Sequence, residues 1–199
     1  MIKQSMPTPP NLQPPGKGLP AYELFIGRLM VRFKLRHISP EVSLREFSEE
    51  RERIISLVTS IPPELASQQV LIKRLRGLED SSRFWSVYMT LDHLRIVNQS
   101  ITNVVSTLLK GSKPELVVST AAVKPTPGIG AEALSEFAAV CDDFQRRFRT
   151  DNNMKTAVTL AHPWFGELNG EQWHFFAGFH MKLHRKQIEA IISKLMGRA

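Results

Sequence analysis

Apolar residues recur along this chain in steps of three and four, the spacing that gathers side chains on one face of an α-helix. The first stripe is Leu44, Phe47, Ile54, Ile55 and Val58; Ser39-Pro40-Glu41 opens it and Ile61-Pro62-Pro63 closes it. Proline near a first turn followed by acid suits a helix start, and a proline pair suits its end. The second stripe, Trp85, Met89, His93, Ile96, Val97, Ser100, Val104 and Leu108, predicts a helix from about Ser82 to Leu109, stopped by Gly111-Ser112-Lys113-Pro114. The third, Leu134, Phe137, Ala138, Cys141, Phe144 and Phe148, predicts a helix from about Ala131 to Arg149. The fourth, Trp173, Ala177, His180, His184, Ile188, Ile191 and Leu195, follows a capping Asn169 and predicts a helix from about Gly170 to Met196. Its opposite face carries Lys182, Arg185, Lys186, Glu189 and Ser193. Four long amphipathic helices predict an all-α fold, a four-helix bundle.

The remaining segments set the organisation. Six prolines in residues 1–20 forbid a regular helix and predict an extended arm, leaving 21–199 as a single helical-bundle domain. Residues 21–38, apolar with interspersed bases, are compatible with a helix or an irregular covering segment. A short helix is expected within 64–76. Residues 115–123 read as an extended connector, and Pro125, Pro127, Gly128 and Gly130 lengthen it into a connection that fits a crossover between the second and third long helices.

Composition narrows the function classes. With 199 residues and 42% hydrophobic content, the chain suits one globular domain with a tail. A single cysteine, Cys141, excludes an internal disulfide framework and CxxC metal knuckles, and reads as a small buried hydrophobe. Lys and Arg exceed Asp and Glu by 26 to 19, with clusters at Lys73, Arg74, Arg76 and at Arg146, Arg147, Arg149. Without a recognition motif, these read as solvated surface, and no nucleic-acid partner is expected. No apolar run reaches 18 residues and the first ten residues hold no apolar leader core, so no membrane partner is expected, and the expected compartment is the cytoplasm. GxGxxG, P-loop and GxSxG motifs are all missing.

The histidines carry the chemical signal. His180 and His184 stand four residues apart and project from one helix face about a turn apart, so both can reach one ion. HxxxH alone is weak, because single histidines are more often hydrogen-bonded core residues than ligands. Here the pair lies on an apolar stripe, and His93 lies within the stripe of another helix. Imidazole is a poor core filler, so a metal shared by His93, His180 and His184 is one economical reading. Three neutral ligands leave coordination positions open for water or substrate. HExxH does not accompany them, and Glu171-Gln172-Trp173-His174 lacks the second ExxH that a di-iron bundle needs. Trp85, Met89, Trp173 and Ala177 read as packing residues that could line a pocket beside the site. His162, before proline, suits a turn hydrogen bond; His174 falls toward the polar side of its helix; His37 takes no assignment. Asp92 reads as solvated or salt-bridged. Arg51 reads as snorkelling to water or, in a second reading, as holding an anionic substrate group.

Two stretches, WSVYMTLDHL (Trp85–Leu94) and HPWFGELNGEQWHFFAGFHMKLHRKQI (His162–Ile188), resemble the DinB/YfiT-like superfamily of metal-dependent helical bundles. The resemblance implies a four-helix bundle with a crossover, a homodimer, and a three-histidine site at His93, His180 and His184. It implies a divalent ion (zinc, nickel or iron) and, by similarity to thiol-dependent members, a low-molecular-weight thiol. The expected activity is a metal-dependent enzyme that activates a thiol or water for transfer, isomerisation or hydrolysis of a small-molecule substrate. The competing expectation is a non-catalytic helical module that binds a partner. The arm and residues 21–40 have no counterpart in the resemblance.

Overall fold

Side-chain caps fix where three of the long helices begin. In the computed structural model, which describes residues 10–36, 39–115, 118–149 and 153–197, Ser39 accepts from the Val42 amide and starts α2 (Pro40–Thr59). Ser86 accepts from the Met89 amide and starts α4 (Val87–Leu109). Asn169 and Gln172 form a reciprocal capping box at the start of α6 (Gly170–Leu195). Helix α5 (Glu132–Phe148) starts without a side-chain cap but carries Glu132 in its first turn and Arg146 and Arg147 in its last, matching the helix dipole. The start of α4 differs from the expected Ser82. Residues Asp80–Ser82 form a separate 3-10 turn, and the backbone re-enters a helix only behind Ser86.

The four long helices close into a ring, α2 against α5 and α6, and α4 against the same two. This is the expected all-α four-helix bundle. Phe47 of α2 stacks on Phe144 of α5 with ring centroids 4.2 Å apart. Gly178 lets α6 approach α2 closely, since a Cβ there would meet the Phe47 amide nitrogen at 3.3 Å. Beside that contact Arg185 donates to the nearly buried Glu50 carboxylate at 2.6 Å, joining α6 to α2. No helix among the described residues is long and apolar enough to cross a membrane.

Smaller elements complete the fold. Residues 21–34, open between two readings from sequence, form α1 (Ala21–Lys34). The short helix expected within 64–76 is a single turn, α3 (Pro63–Ala66). A hairpin, β1 (Leu160–His162) with β2 (Gly166–Leu168), was not expected; its two strands are too short for an alternating pattern to register. Its turn contains the bond suited to His162, with the Trp164 amide donating to Nδ1 at 3.1 Å. The Trp173 indole N–H donates to the Leu160 carbonyl at 3.1 Å and ties the hairpin to α6. In the arm, residues 10–20 are irregular and anchored by their backbone. The Gln13 amide donates to Asp80, and the Gly16 and Gly18 amides donate to Glu79.

His174 departs from expectation. It is fully buried, not polar-facing, stacked on Phe144 and edge-on to Phe148, and neither ring nitrogen has a hydrogen-bond partner. Its contacts lie between α5 and α6, where helical geometry brings residue 174 inward beside the stripe. Burial lowers its pKa to about 4. A depressed histidine pKa means that the unfolded chain binds more protons. Stability from this group is therefore whole above the unfolded value of about 6.5 and is lost as pH falls through about 4. An unpartnered buried polar group costs about 1–3 kcal/mol. His174→Phe should therefore raise the unfolding free energy by roughly 1–2 kcal/mol and flatten its decline between pH 6.5 and 4, measured by urea denaturation across pH.

Candidate metal centre

The bundle brings His93, His180 and His184 together between α4 and α6. Their ring nitrogens form the one group of three or more potential metal-ligand side chains among the described residues, all within 4.8 Å of one another. His93 Nε2 lies 3.3 Å from His180 Nε2 and 3.1 Å from His184 Nε2. His93 and His184 are buried, and His180 is the partly exposed member.

Tautomers follow from the second nitrogen of each ring. His93 Nδ1 lies 2.6 Å from the Val123 carbonyl, which can only accept, so Nδ1 carries the proton. His184 Nδ1 lies 2.7 Å from Gln187 Oε1. The Gln187 amide nitrogen donates to the Ser82 carbonyl at 2.7 Å, which fixes its oxygen toward the imidazole. His184 Nδ1 therefore carries its proton as well. Burial pushes the His93 pKa down to about 4 and those of His180 and His184 well below the ordinary value. Both His93 and His184 are neutral at pH 7, and each Nε2 is a bare acceptor. Two acceptors face each other at 3.1 Å, and no protein proton can lie between them. A cation resolves that opposition. Nitrogens about 2.0–2.1 Å from a tetrahedral ion lie about 3.3 Å apart, so the donor set fits such an ion. His180 Nδ1 is buried without a partner.

The surroundings hold these rings in place. Trp85 packs against His93 and lies nearly parallel to His184, with centroids 5.1 and 6.2 Å away. Lys124 lies over the Trp85 ring, 5.4 Å from its centroid, while donating to Ser81 and pairing with Glu79 at 3.7 Å. Glu79 accepts from Thr120 and from the arm amides of Gly16 and Gly18, so one carboxylate joins the arm to the α4–α5 connection. Asp92 is salt-bridged, as expected, but fully buried: it pairs with Arg95 and accepts from the Thr126 amide at 2.7 Å. That bond and the His93–Val123 bond pin both sides of the same connection over the site.

The other sequence candidates scatter. Trp85 reaches the triad. Met89 is buried one turn before His93, and Ala177 is buried three residues before His180. Trp173 packs against His162 and Phe176 under the hairpin instead. Phe176 in turn lies 6.0 Å from His180, making an aromatic wall on its side. Arg51 donates to Glu52 and Asp142, so its head group is engaged between α2 and α5. Cys141 is buried beside Asn98, and burial raises its thiol pKa to about 12. Among the basic clusters, Arg74 pairs with Glu23, and Arg146 and Arg147 share Asp143. Sequence reasoning missed Gln187 as a partner of His184, although its place one turn further along the same face was the available signal. Val123 and Lys124, on an irregular connection, gave none.

These features define a helical bundle with a buried cluster of three histidines drawn from two helices. The DinB superfamily profile matches residues 46–188, and the chain belongs to that superfamily. The solved four-helix bundle protein TT2238 aligns with 76% of this chain and 99% of its own, at 21% identity and a TM-score of 0.51. An uncharacterised protein from Escherichia coli UTI89 aligns with 81% of this chain and 96% of its own, at 13% identity and a TM-score of 0.51. No curated protein matches. At these identities the two structures speak for the fold alone. In metal-free protein, nitrogen NMR should find His93 and His184 as neutral Nδ1–H tautomers at pH 7, with His93 taking up a proton only near pH 4; an Nε2–H signal on both rings would contradict the assignment.

Proposed function

We propose that the chain is a metal-dependent enzyme in which His93, His180 and His184 hold one divalent ion. The observation that carries this reading is that Nε2 of His93 and Nε2 of His184 face each other at 3.1 Å while each ring's Nδ1 lies against an oxygen acceptor. Zinc is the first choice, then nickel and iron, for an all-imidazole donor set. A bound ion supplies Lewis acidity, which lowers the pKa of water or a thiol toward neutrality.

The protein's part is orientation and exclusion. Val123 and Gln187 each hold a proton on an Nδ1 and so keep the corresponding Nε2 free. Such outer partners fix ring direction and raise ligand basicity. Trp85 shields the inner side of the cluster from water. His180, flanked by Phe176, is the side from which a small electrophilic substrate approaches. A low-molecular-weight thiol or water serves as the nucleophile for transfer, isomerisation or hydrolysis. Cys141, buried with its proton firmly held, is no candidate for that nucleophile.

Purified protein should carry about one divalent metal per chain by elemental mass spectrometry. His180→Ala should abolish it while helical circular dichroism is retained. Wild-type protein without metal after incubation with zinc, nickel and iron would remove the basis of this reading. Gln187→Leu should weaken metal affinity about 10–100-fold, measured by chelator competition, because His184 loses the acceptor that holds its proton on Nδ1.

A further inference from the structure

Residues 10–20 lie outside the region matched by the family profile, yet they are seated on one buried carboxylate, that of Glu79. Each of its oxygens joins an arm amide to a side chain of the α4–α5 connection. Oε1 accepts from the Gly18 amide at 3.2 Å and from the Thr120 hydroxyl at 3.0 Å. Oε2 accepts from the Gly16 amide at 3.1 Å and from the Ser81 hydroxyl at 3.2 Å, with Lys124 Nζ 3.7 Å away. Gly16 and Gly18 stand at φ +82° and +83°, where glycine is favoured, and this backbone aims two N–H groups at one anion. The seat is close, since a Cβ on Gly16 would meet the Ala121 Cβ at 3.4 Å.

Both outer bonds of the histidine cluster lead back to the same residue. Thr120 and Lys124 flank Val123, whose carbonyl holds the proton of His93 on Nδ1. On the other route, the Glu79 carbonyl accepts from the Ser82 amide at 3.1 Å and from its hydroxyl at 2.8 Å. The Ser82 carbonyl in turn takes the Gln187 N–H and aims Gln187 Oε1 at His184. Lys124 donates to Ser81 at 2.7 Å and ties the two routes together. We infer, on the metal reading above, that Glu79 is a positioning residue for the cluster and that the arm, seated on it through Gly16 and Gly18, governs how tightly His93 and His184 hold an ion. An arm that leaves takes two donors from a buried carboxylate, which must then find others. Lys124, short of direct contact at 3.7 Å, is the nearest cation to close on it, and the adjacent Val123 carbonyl shifts off His93 as it does so. Ion retention thus answers to a segment that is no part of the bundle.

Two full-length variants test this. In Gly18→Val the new Cβ meets nothing, so only backbone strain at a positive φ acts to lift the arm. In Glu79→Gln the side chain keeps its shape but has one oxygen, so its NH₂ group must face donors on one side. Chelator competition should show zinc affinity about 10-fold weaker in each variant, with helical circular dichroism unchanged. In metal-free protein, nitrogen NMR should show an Nε2–H component at His93 in both variants, against Nδ1–H alone in the wild type. Backbone amides of Gly16 and Gly18 should exchange slowly in the wild type and fast in the variants. Zinc affinity at the wild-type value in Gly18→Val overturns the inference. So do fast-exchanging arm amides in the wild type, and so does a His93 tautomer that neither variant alters. If Glu79→Gln does not fold, Gly18→Val decides alone. A wild-type chain that takes up no zinc defeats the metal reading, and the His93 tautomer in metal-free protein then still decides whether the arm positions the cluster.

Discussion

Two imidazole lone pairs pointing at each other inside a helical bundle form the constraint around which the rest of this structure is arranged. Buried acceptors ordinarily find donors, and a pair of them without a proton between is unfavourable in a medium of low polarity. The surrounding bonds prevent relief by a change of tautomer at His93 or His184. Val123 offers only a carbonyl to His93, and Gln187 is turned by Ser82 so that only its oxygen meets His184. The protein thus spends hydrogen bonds to maintain an electrostatic opposition, which is sensible if a cation is the intended neighbour.

Maintaining that arrangement demands rigidity at a distance. Helices α4 and α6 supply the ring positions, and their starts are fixed by the Ser86 cap and the Asn169–Gln172 box. The described residues of the connection between α4 and α5 form no helix or strand, yet they are pinned at Val123, Lys124 and Thr126 to groups at or beside the cluster. Glu79 then binds the connection to the arm. Its burial raises its pKa, but the bonds from Gly16, Thr120, Lys124 and Gly18 outweigh that and leave it below the ordinary value. The carboxylate stays charged and remains a strong acceptor for all of them.

The repeating stripes made the bundle legible before any coordinates, because a helix face with a three-and-four period has few other ways to bury itself. The meeting of His93 with His180 and His184 was legible for the same reason: all three stand on stripe positions. What escaped was decided by tertiary contacts. His174 sits off the predicted stripe, yet α5 presents Phe144 and Phe148 to it. The hairpin at 160–168 is too short to show a period of two. Residues 21–34 carry a helical stripe that read ambiguously because its apolar face is turned away from the domain. Trp173 was placed on the correct inward face but at the hairpin end, where the Leu160 carbonyl takes its indole N–H.

The state of Cys141 has a consequence for how this protein tolerates its chemical environment. Fully buried and with its pKa raised to about 12, the only sulfhydryl of the chain holds almost no thiolate at neutral pH. Peroxides and alkylating electrophiles react with thiolate, so they find no reactive cysteine on the folded chain. Modification of this cysteine therefore requires the bundle to open first.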